Sequence, residues 1–331
     1  MGANPPGASR KPLISLVVPF FNEGGGVDRF YGAVVPVLDG IADARFEVVC
    51  IDDGSRDDTL SGLLALVERD ARFRVIELSR NFGKEAALTA GIDAARGDAV
   101  IPIDADLQDP PELIPTLIEE WRKGAEVVLA RRLDRHSDSM FKRKSAELFY
   151  RFHNRLSSVP IPENVGDFRL LDRVAVEALK DLPERQRFMK GLFAWIGFKT
   201  AVVDYTRNPR VAGASKFSAW KLWNLALEGI TSFSAVPLRI WTYLGGMGAI
   251  IAFVYALFIV VRTLVYGIEV PGYASLFVTV LFFGSLQLIS VGLLGEYIGR
   301  IYLETKQRPI YVIRRRYEDT KEASRLVRNG G

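Results

Sequence analysis

Short apolar runs alternate with segments of helical period over the first 135 residues. Helical-period segments such as 56–70 and 84–96 separate the runs, which cover residues 13–21, 46–53, 73–79, 99–106 and 125–132. Apolar runs of this length predict buried strands, and the segments between them predict amphipathic helices. Repeated strand–helix units predict an α/β fold with a parallel-rich sheet, helices on both faces and a ligand site at the carboxyl ends of the strands.

Acidic residues follow three of these runs. Glu23 comes after the first run, Asp52 and Asp53 end the second, and Asp104 and Asp106 end the fourth. Because the carboxyl ends of parallel strands share one edge of a sheet, these five side chains are expected on one rim.

The stretch "IDADLQDPPE", residues 103–112, concentrates negative charge that needs a cation among it. Asp104, Asp106 and Gln108 offer hard oxygen ligands of the kind that Mg²⁺ or Mn²⁺ prefers, with positions left for diphosphate oxygens. An exposed turn can carry the same D-x-D pattern. The apolar strand before it and the Pro-Pro helix start after it favour the metal site. P-loop and G-x-G-x-x-G motifs are missing from the sequence, so neither a P-loop ATPase nor a dinucleotide-binding enzyme is indicated.

Two long apolar segments, 240–261 and 275–298, are each long enough to cross a hydrocarbon core of roughly 30 Å at about 1.5 Å per residue. A buried helical hairpin of a soluble protein is the alternative. The first segment carries no charge and the second carries only Glu296, which favours two transmembrane helices. Lys and Arg are dense after the second segment and sparse between the two, so the catalytic domain and both termini are predicted to be cytoplasmic.

Composition narrows the class of protein. The chain has 331 residues, 49% of them hydrophobic, which excludes disorder as its main state. The single cysteine, Cys50, lies in an apolar run and is interpreted as a core residue, and the two histidines show no zinc-ligand spacing. A net charge of +4 suits nucleic acid, anionic lipid or phosphorylated substrates. The basic residues gather beside lipid-facing segments, so nucleic acid is not an expected partner.

Two further segments combine apolar and basic residues at helical spacing. The first covers residues 141–156 and includes Lys142 and Arg143, and the second covers 216–233 and includes Trp220 and Trp223. Both are predicted to be amphipathic helices lying at a membrane surface. Packing against the catalytic domain is the alternative for each.

Seven motifs, in order along the chain, resemble the family 2 glycosyltransferases. They are "VVPFFNE", "IDDGSRDDT", "RNFGKEAALTAGIDAARGD", "DADLQDPPE", "GDFRLLDR", "RFMKGL" and "RVAGASKF". The closer resemblance, over residues 12–300, is to the polyisoprenyl-phosphate glycosyltransferases, which include dolichol-phosphate mannose synthase and bacterial undecaprenyl-phosphate sugar transferases. The resemblance implies a GT-A nucleotide-binding sheet, a divalent cation (Mg²⁺ or Mn²⁺), a nucleotide-sugar donor and a polyprenyl-phosphate acceptor in the bacterial plasma membrane.

The same resemblance implies site residues. Those for the donor are Pro19, Asn22, Glu23, Asp53, Asp104 and Arg131, and those for the metal are Asp104, Asp106 and Gln108. Those for the acceptor are Arg210 and Lys216. Lys142 and Arg143 are added as acceptor-binding residues from the basic amphipathic pattern of residues 141–156, not from the resemblance. Asp167, Arg210 and Lys216 are the implied catalytic residues. A lipid monophosphate is already anionic near neutral pH, so Asp167 is expected to orient the acceptor or a sugar hydroxyl more than to take a proton. A helix N-cap is the alternative interpretation of Asp167.

The expected domains are a flexible tail that is not a signal peptide (1–11), a catalytic domain (12–210), a juxtamembrane segment (211–236), a transmembrane hairpin (237–300) and a cytoplasmic basic tail (301–331). The expected reaction is inverting hexose transfer, with UDP-glucose as the favoured donor and GDP-mannose or a UDP-amino-arabinose as alternatives. A processive polysaccharide synthase is disfavoured because "RQRFMKGL" stands in place of a Q-x-x-R-W motif. An inactive nucleotide-sugar-binding membrane protein is the remaining alternative. The sequence leaves the oligomeric state open, a homo-oligomer included.

Overall fold

The computed structural model describes residues 11–133, 165–185, 187, 189–206, 236–266 and 272–318. The chain forms two compact units. The larger unit contains the sheet and takes in the segment that begins at Pro309. The smaller unit contains the long apolar helices up to Arg308.

The larger unit is built on one mixed sheet, in which the described residues contribute eight strands in the order β7-β5-β6-β4-β1-β2-β3-β8. The strands are β1 (Leu13–Phe20), β2 (Arg45–Asp52), β3 (Phe73–Leu78), β4 (Ala99–Pro102), β5 (Val127–Arg132), β6 (Val165–Asp172), β7 (Thr200–Tyr205) and β8 (Ile313–Tyr317). Strands β1 to β4 run parallel. Strand β6 is inserted antiparallel between β4 and β5, and β8 adds antiparallel to β3.

Helices cover both faces of the sheet. They are α1 (Val27–Asp39), α2 (Thr59–Arg69), α3 (Lys84–Ala94), α4 (Ile114–Arg122), α5 (Arg173–Lys180) and α6 (Met189–Trp195). Apolar side chains of α1, α2 and α4 join the buried core on the β1 face that carries Leu16 and Val18. Helix α3 lies on the opposite face, where a Cβ at Gly91 would meet Val17 and Ile51 at 2.2 and 2.5 Å. Glycine therefore lets α3 approach the sheet closely.

The structure contains all five predicted strands and adds three that the hydrophobic pattern did not predict. Strands β6, β7 and β8 carry charged or polar residues at positions that a buried strand would fill with apolar ones. The N-cap interpretation of Asp167 is wrong because this residue lies within β6. Asp172 caps α5 instead, its side chain accepting the amide hydrogen of Val174 at 2.9 Å. Cys50 is fully buried, as predicted.

In the smaller unit, the described residues form two long helices, α7 (Val236–Tyr266) and α8 (Tyr273–Thr305). Within them, Tyr243–Tyr266 and Leu276–Thr305 are long and apolar enough to cross a membrane, with mean hydropathies of 2.5 and 2.1. These segments coincide with the two predicted spans. Many of their large apolar side chains are exposed and are not buried by the part of the chain that the structure describes.

Candidate active site

The loops after β1, β2 and β4 meet at one edge of the sheet. Strand β1 pairs with β2 on one side and β4 on the other. The amide of Asp53 donates to the carbonyl of Phe20 at 2.9 Å, and that of Ile103 donates to Val17 at 3.0 Å. These contacts confirm the prediction that the strand ends carrying the acidic residues lie at one edge of the sheet.

The loop after β1 is fastened to the loop after β2. Asn22 adopts a left-handed backbone with φ of 54°, which asparagine tolerates better than most residues. Its amide donates to Ser55 Oγ at 3.0 Å, and its Oδ1 accepts the amide hydrogen of Arg56 at 2.9 Å. The amide of Glu23 donates to Thr59 Oγ1 at 2.8 Å. Asn22 thus holds the first loop against the second.

Asp53 organises the loop that precedes α3. Its Oδ1 accepts the amide hydrogen of Phe82 at 2.7 Å, and its Oδ2 accepts that of Gly83 at 2.9 Å. Burial raises the pKa of Asp53 against the effect of these two hydrogen bonds. Gly83 has φ of 100° and turns the chain into α3, whose first residue is Lys84. The second strand end therefore positions the Lys84 side chain.

Lys84 joins two acidic residues from different strands. Its Nζ lies 2.7 Å from Oδ1 and 2.9 Å from Oδ2 of Asp104, and 2.8 Å from Oδ2 of Asp167. The juxtaposition follows from the sheet, since Ala99 and Val100 of β4 pair with Asp172 and Leu171 of β6. Continuing that antiparallel register places residue 104 opposite residue 167.

The two carboxyl groups beside Lys84 differ electrostatically. Burial raises the pKa of Asp104, although Lys84 opposes this effect. Burial would also raise the pKa of Asp167, but Lys84 and Lys190 outweigh it and hold that pKa below its usual value. Burial disfavours the charged form of Lys84, and the two carboxylates outweigh this and raise its pKa. Asp167 is therefore the more firmly ionised of the two acids.

Further charged groups surround Asp167. Burial raises the pKa of Glu85 to about 7, with a contribution from Asp167. Arg169 is buried, donates to the carbonyls of Gly166 and Asp167, and stacks 4.0 Å from the centre of the Phe193 ring. Within the described part of the chain, the buried Oδ1 of Asp167 has no hydrogen-bond partner. This atom keeps an unused acceptor site, but the surrounding protein shields it, so a substrate hydroxyl reaches it only when neighbouring atoms move.

The donor set of the D-x-D stretch fits a divalent cation that shares its coordination with phosphate. Asp106 is exposed, and its Oδ1 accepts the amide hydrogen of Gln108 at 3.1 Å. Among the described residues, no three His, Cys, Asp or Glu side chains gather into a ready-made metal site. Asp104 and Asp106 supply two hard oxygen donors, and Mg²⁺ is commonly held by one or two carboxylates together with substrate phosphates.

Two further predicted residues, Pro19 and Arg131, lie on strands of the same sheet. Pro19 is in β1, opposite Ile51 of β2. Arg131, at the end of β5, forms a bidentate ion pair with Asp204, with N–O distances of 2.7 and 2.9 Å. Lys142, Arg143, Arg210 and Lys216, together with both predicted amphipathic helices, lie outside the described residues.

Lys84 was not predicted as a site residue, although it lies within the motif "RNFGKEAALTAGIDAARGD". A signal was present, because a cation in the first turn of a helix opposes the helix dipole and gains nothing there. Its position directly after Gly83, the N-cap of α3, indicates a role in the site rather than in the helix.

Comparison with known proteins identifies the family of this chain. Residues 15–180 match the domain called Glycosyl transferase family 2. Similar proteins include the bactoprenol glucosyl transferase of Shigella phage SfX, 55% identical over 92% of this chain and 99% of that protein. The putative glycosyltransferase CsbB of Bacillus subtilis is 42% identical over 92% of each chain.

Solved structures that match part of the chain include mannosyltransferase PcManGT from Pyrobaculum calidifontis in complex with GDP-Man and Mn²⁺. It is 17% identical, with a TM-score of 0.48 over 88% of each chain. The glucosyl-3-phosphoglycerate synthase of Mycobacterium tuberculosis is 20% identical, with a TM-score of 0.47 over 66% of this chain and 76% of that one. On the match of residues 15–180 and the relatives at 42–55% identity, the chain belongs to glycosyl transferase family 2, with the GT-A sheet of that family, and is a glycosyltransferase.

Proposed function

We propose that this enzyme transfers glucose from UDP-glucose to a polyprenyl phosphate in a membrane, with inversion at the anomeric carbon and with a divalent cation. The observation that carries the proposal is the convergence of Asp104 and Asp167 on Lys84, beside the exposed Asp106, in a family 2 chain with two apolar helices. Relatives named for glucosyl transfer to bactoprenol support the sugar and the lipid class.

The proposed reaction needs one bond change at the sugar. An oxygen of the lipid phosphate attacks C1 of glucose, the bond from C1 to the diphosphate breaks, and UDP leaves with the electron pair. A phosphate monoester has a second pKa near 6, so the nucleophile is already largely anionic at neutral pH. The protein is therefore required mainly to position the reactants and to stabilise the charge that builds on the departing diphosphate.

Each group of residues has a proposed role. Asp104 and Asp106, with Gln108, would hold Mg²⁺ or Mn²⁺, which when bound neutralises charge on the diphosphate. Asn22, Glu23 and Asp53 order the loops that would face the nucleotide, and Pro19 and Arg131 would complete the donor site. The unpartnered Oδ1 of Asp167 would accept a hydrogen bond from a sugar hydroxyl.

The acceptor is proposed to come from the membrane. Arg210 and Lys216 would contact its phosphate, with Lys142 and Arg143 beside them. The helices α7 and α8 are proposed to cross the bacterial plasma membrane, with the catalytic domain and both termini cytoplasmic, since Lys and Arg cluster after α8.

The test is a transfer assay on detergent-purified protein with undecaprenyl phosphate, Mg²⁺ or Mn²⁺, and radiolabelled UDP-glucose, GDP-mannose or UDP-amino-arabinose. The expected result is lipid-extractable label from UDP-glucose that EDTA abolishes. Asp104→Asn and Asp106→Asn are each expected to lower the rate about 100-fold or more, because charge stabilisation at the leaving group is a large term. Asp28→Asn, an exposed change in the first turn of α1, is the control.

The outcomes separate the alternatives. Label from GDP-mannose alone would assign a different donor, and lipid-free polymer would assign a processive synthase. An absence of transfer from every donor, with UDP binding intact, would contradict the proposed activity.

A further inference from the structure

We propose that Lys84 is a positioning residue that occupies the metal-binding carboxylate of the donor-free enzyme, so that the divalent cation binds tightly only together with the nucleotide diphosphate. This inference rests on the proposed function, since it assumes that Asp104 is a ligand of the cation. It adds an order to the binding events: the protein's own cation leaves Asp104 when the metal and the diphosphate arrive.

The ammonium group of Lys84 is shared between Asp104 and Asp167. An ammonium group has three hydrogen-bond donors. The Nζ atom of Lys84 lies within 2.7 to 2.9 Å of both oxygens of Asp104 and one oxygen of Asp167. Three close contacts match the three donors, and both oxygens of Asp104 are engaged. A metal ion approaching Asp104 therefore meets a carboxylate whose charge is already compensated.

The backbone before Lys84 is fixed by hydrogen bonds, whereas the Lys84 side chain is partly exposed. The two hydrogen bonds from Phe82 and Gly83 to Asp53 fix the backbone just before Lys84. The Lys84 side chain is nevertheless 45% exposed, whereas those of Asp104 and Asp167 are 26% and 15% exposed. The backbone is held while the long side chain borders open space, so the ammonium can leave Asp104 and keep its contact with Asp167.

The charged groups near Lys84 affect how a metal ion binds. Lys84 compensates one of its two carboxylates, and Lys190 also acts on Asp167. Burial and, secondly, Asp106 raise the pKa of Glu23, which places Glu23 near the D-x-D stretch, so Asp106 and Glu23 add negative charge there. A divalent cation that binds without a diphosphate must displace the Lys84 ammonium from Asp104, and the two positive charges repel each other. A diphosphate brings negative charge that stabilises both the metal ion and the displaced ammonium. By linkage, the nucleotide then raises metal affinity by the same factor as the metal raises nucleotide affinity.

The test measures metal binding and needs no turnover. Mn²⁺ is titrated into full-length detergent-purified protein, and free Mn²⁺ is followed by electron paramagnetic resonance, with and without saturating UDP. The wild type is expected to bind Mn²⁺ weakly alone and at least 10-fold more tightly with UDP. Lys84→Met is expected to bind Mn²⁺ at least 10-fold more tightly than the wild type without UDP, and UDP is expected to add less than 3-fold.

Two further variants keep the test decisive. Lys84→Gln removes the charge but keeps a polar group, and it should behave like Lys84→Met, so misfolding of one variant does not end the experiment. Lys123→Met is the matched control, because Lys123 also contacts two carboxylates, Glu119 and Glu120 at 2.9 Å each, on an exposed part of α4 and its end. This control should leave Mn²⁺ binding unchanged.

The failures can be told apart. Equal or weaker Mn²⁺ binding by both Lys84 variants, with a UDP-dependent site intact in the wild type, would overturn the inference alone. An absence of Mn²⁺ binding by the wild type even with UDP would remove the metal from the proposed function, and the inference with it.

Discussion

Two carboxyl groups share the Lys84 ammonium, and the fold gives them different properties. Asp104 has a raised pKa through burial, and Asp167 has a lowered pKa because Lys84 and Lys190 outweigh burial. A base that accepts a proton at neutral pH works best with a pKa near the working pH. The lowered pKa of Asp167 therefore favours an orienting role over proton abstraction.

This distinction predicts the behaviour of Asp167→Asn. Asparagine keeps a hydrogen-bond acceptor for a sugar hydroxyl but removes one anion from Lys84. The transfer rate is expected to fall about 10- to 100-fold, with the shape of the pH–rate profile above about pH 7 unchanged, since the acceptor phosphate is already largely ionised there. The measurement is kcat against pH, with Asp28→Asn as the control. A fall beyond about 1,000-fold together with loss of the acidic limb of the profile would assign Asp167 as a base.

Sequence patterns predicted the acidic residues of the site but not Lys84. Glu23, Asp52, Asp53, Asp104 and Asp106 were predictable because they directly follow apolar strands. Lys84 was not, because its partners are 20 and 83 residues away. Only the register between β4 and β6 brings those partners together, and the local signal at the start of α3 does not identify them.

Among elements, the loops after β2 and β3 depend on one glycine. Gly54 has φ of 66°, and a Cβ there would lie 2.5 Å from the carbonyl carbon of Arg80 and 2.7 Å from the amide nitrogen of Asn81. Both neighbours are backbone atoms, so the loop that leads to Lys84 would have to move. Gly54 thus sets the distance between Asp53 and the start of α3.

Gly54→Ala is accordingly expected to destabilise the protein by about 2–4 kcal/mol, from the left-handed backbone and the clash together. It should also lower the transfer rate, because Phe82 and Gly83 would lose their fixed hydrogen bonds to Asp53. The measurements are thermal unfolding of the detergent-purified protein and the transfer rate. Gly25→Ala, in the loop after β1 with no atom within 4 Å of the added Cβ, should leave both unchanged. A Gly54 variant as stable as the Gly25 variant would contradict this account.

The sequence predicted strands where apolar residues cluster. It did not predict strands that form only because a neighbouring strand pairs with them. Strand β8 reads "IRRRY" and β6 reads "VGDFRLLD", neither of which is a regular apolar pattern. Their neighbours in the sheet supply the missing burial, since β6 lies between β4 and β5. Such non-local pairing is not visible in a window of a few residues.

For the whole molecule, the segment after the apolar helices belongs to the catalytic unit. The sequence predicted a basic tail there, whereas residues 313–317 form the edge strand β8 against β3. Glu318 forms ion pairs with Arg74 and Arg96 at 3.1 and 2.7 Å. The chain therefore enters the sheet unit again after the two long helices.

A buried hydrogen bond joins β8 to β3 at this edge of the sheet. Tyr317 is 4% exposed, and its hydroxyl donates to Oε2 of Glu77 at 2.8 Å, while Arg314 pairs with Oε1 of Glu77 at 2.9 Å. Tyr317→Phe keeps the ring and leaves one oxygen of a buried carboxylate without its donor. A loss of about 1–3 kcal/mol in the free energy of unfolding is expected, because an unsatisfied buried acceptor bears its desolvation cost.

Tyr311→Phe is the matched change, since the Tyr311 hydroxyl donates to Asp93 at 2.7 Å in an exposed setting. An exposed acceptor that loses its donor is hydrated again, so this variant should lose no more than about 0.5–1 kcal/mol. Thermal unfolding of both variants in the same detergent compares them directly. Because β8 contacts the edge of the sheet at β3, and the Lys84 contacts lie at the carboxyl ends of the central strands, Tyr317→Phe should lower stability while the transfer rate at low temperature stays near that of the wild type. Equal stability losses for the two variants would mean that β8 adds no buried anchor to the catalytic unit.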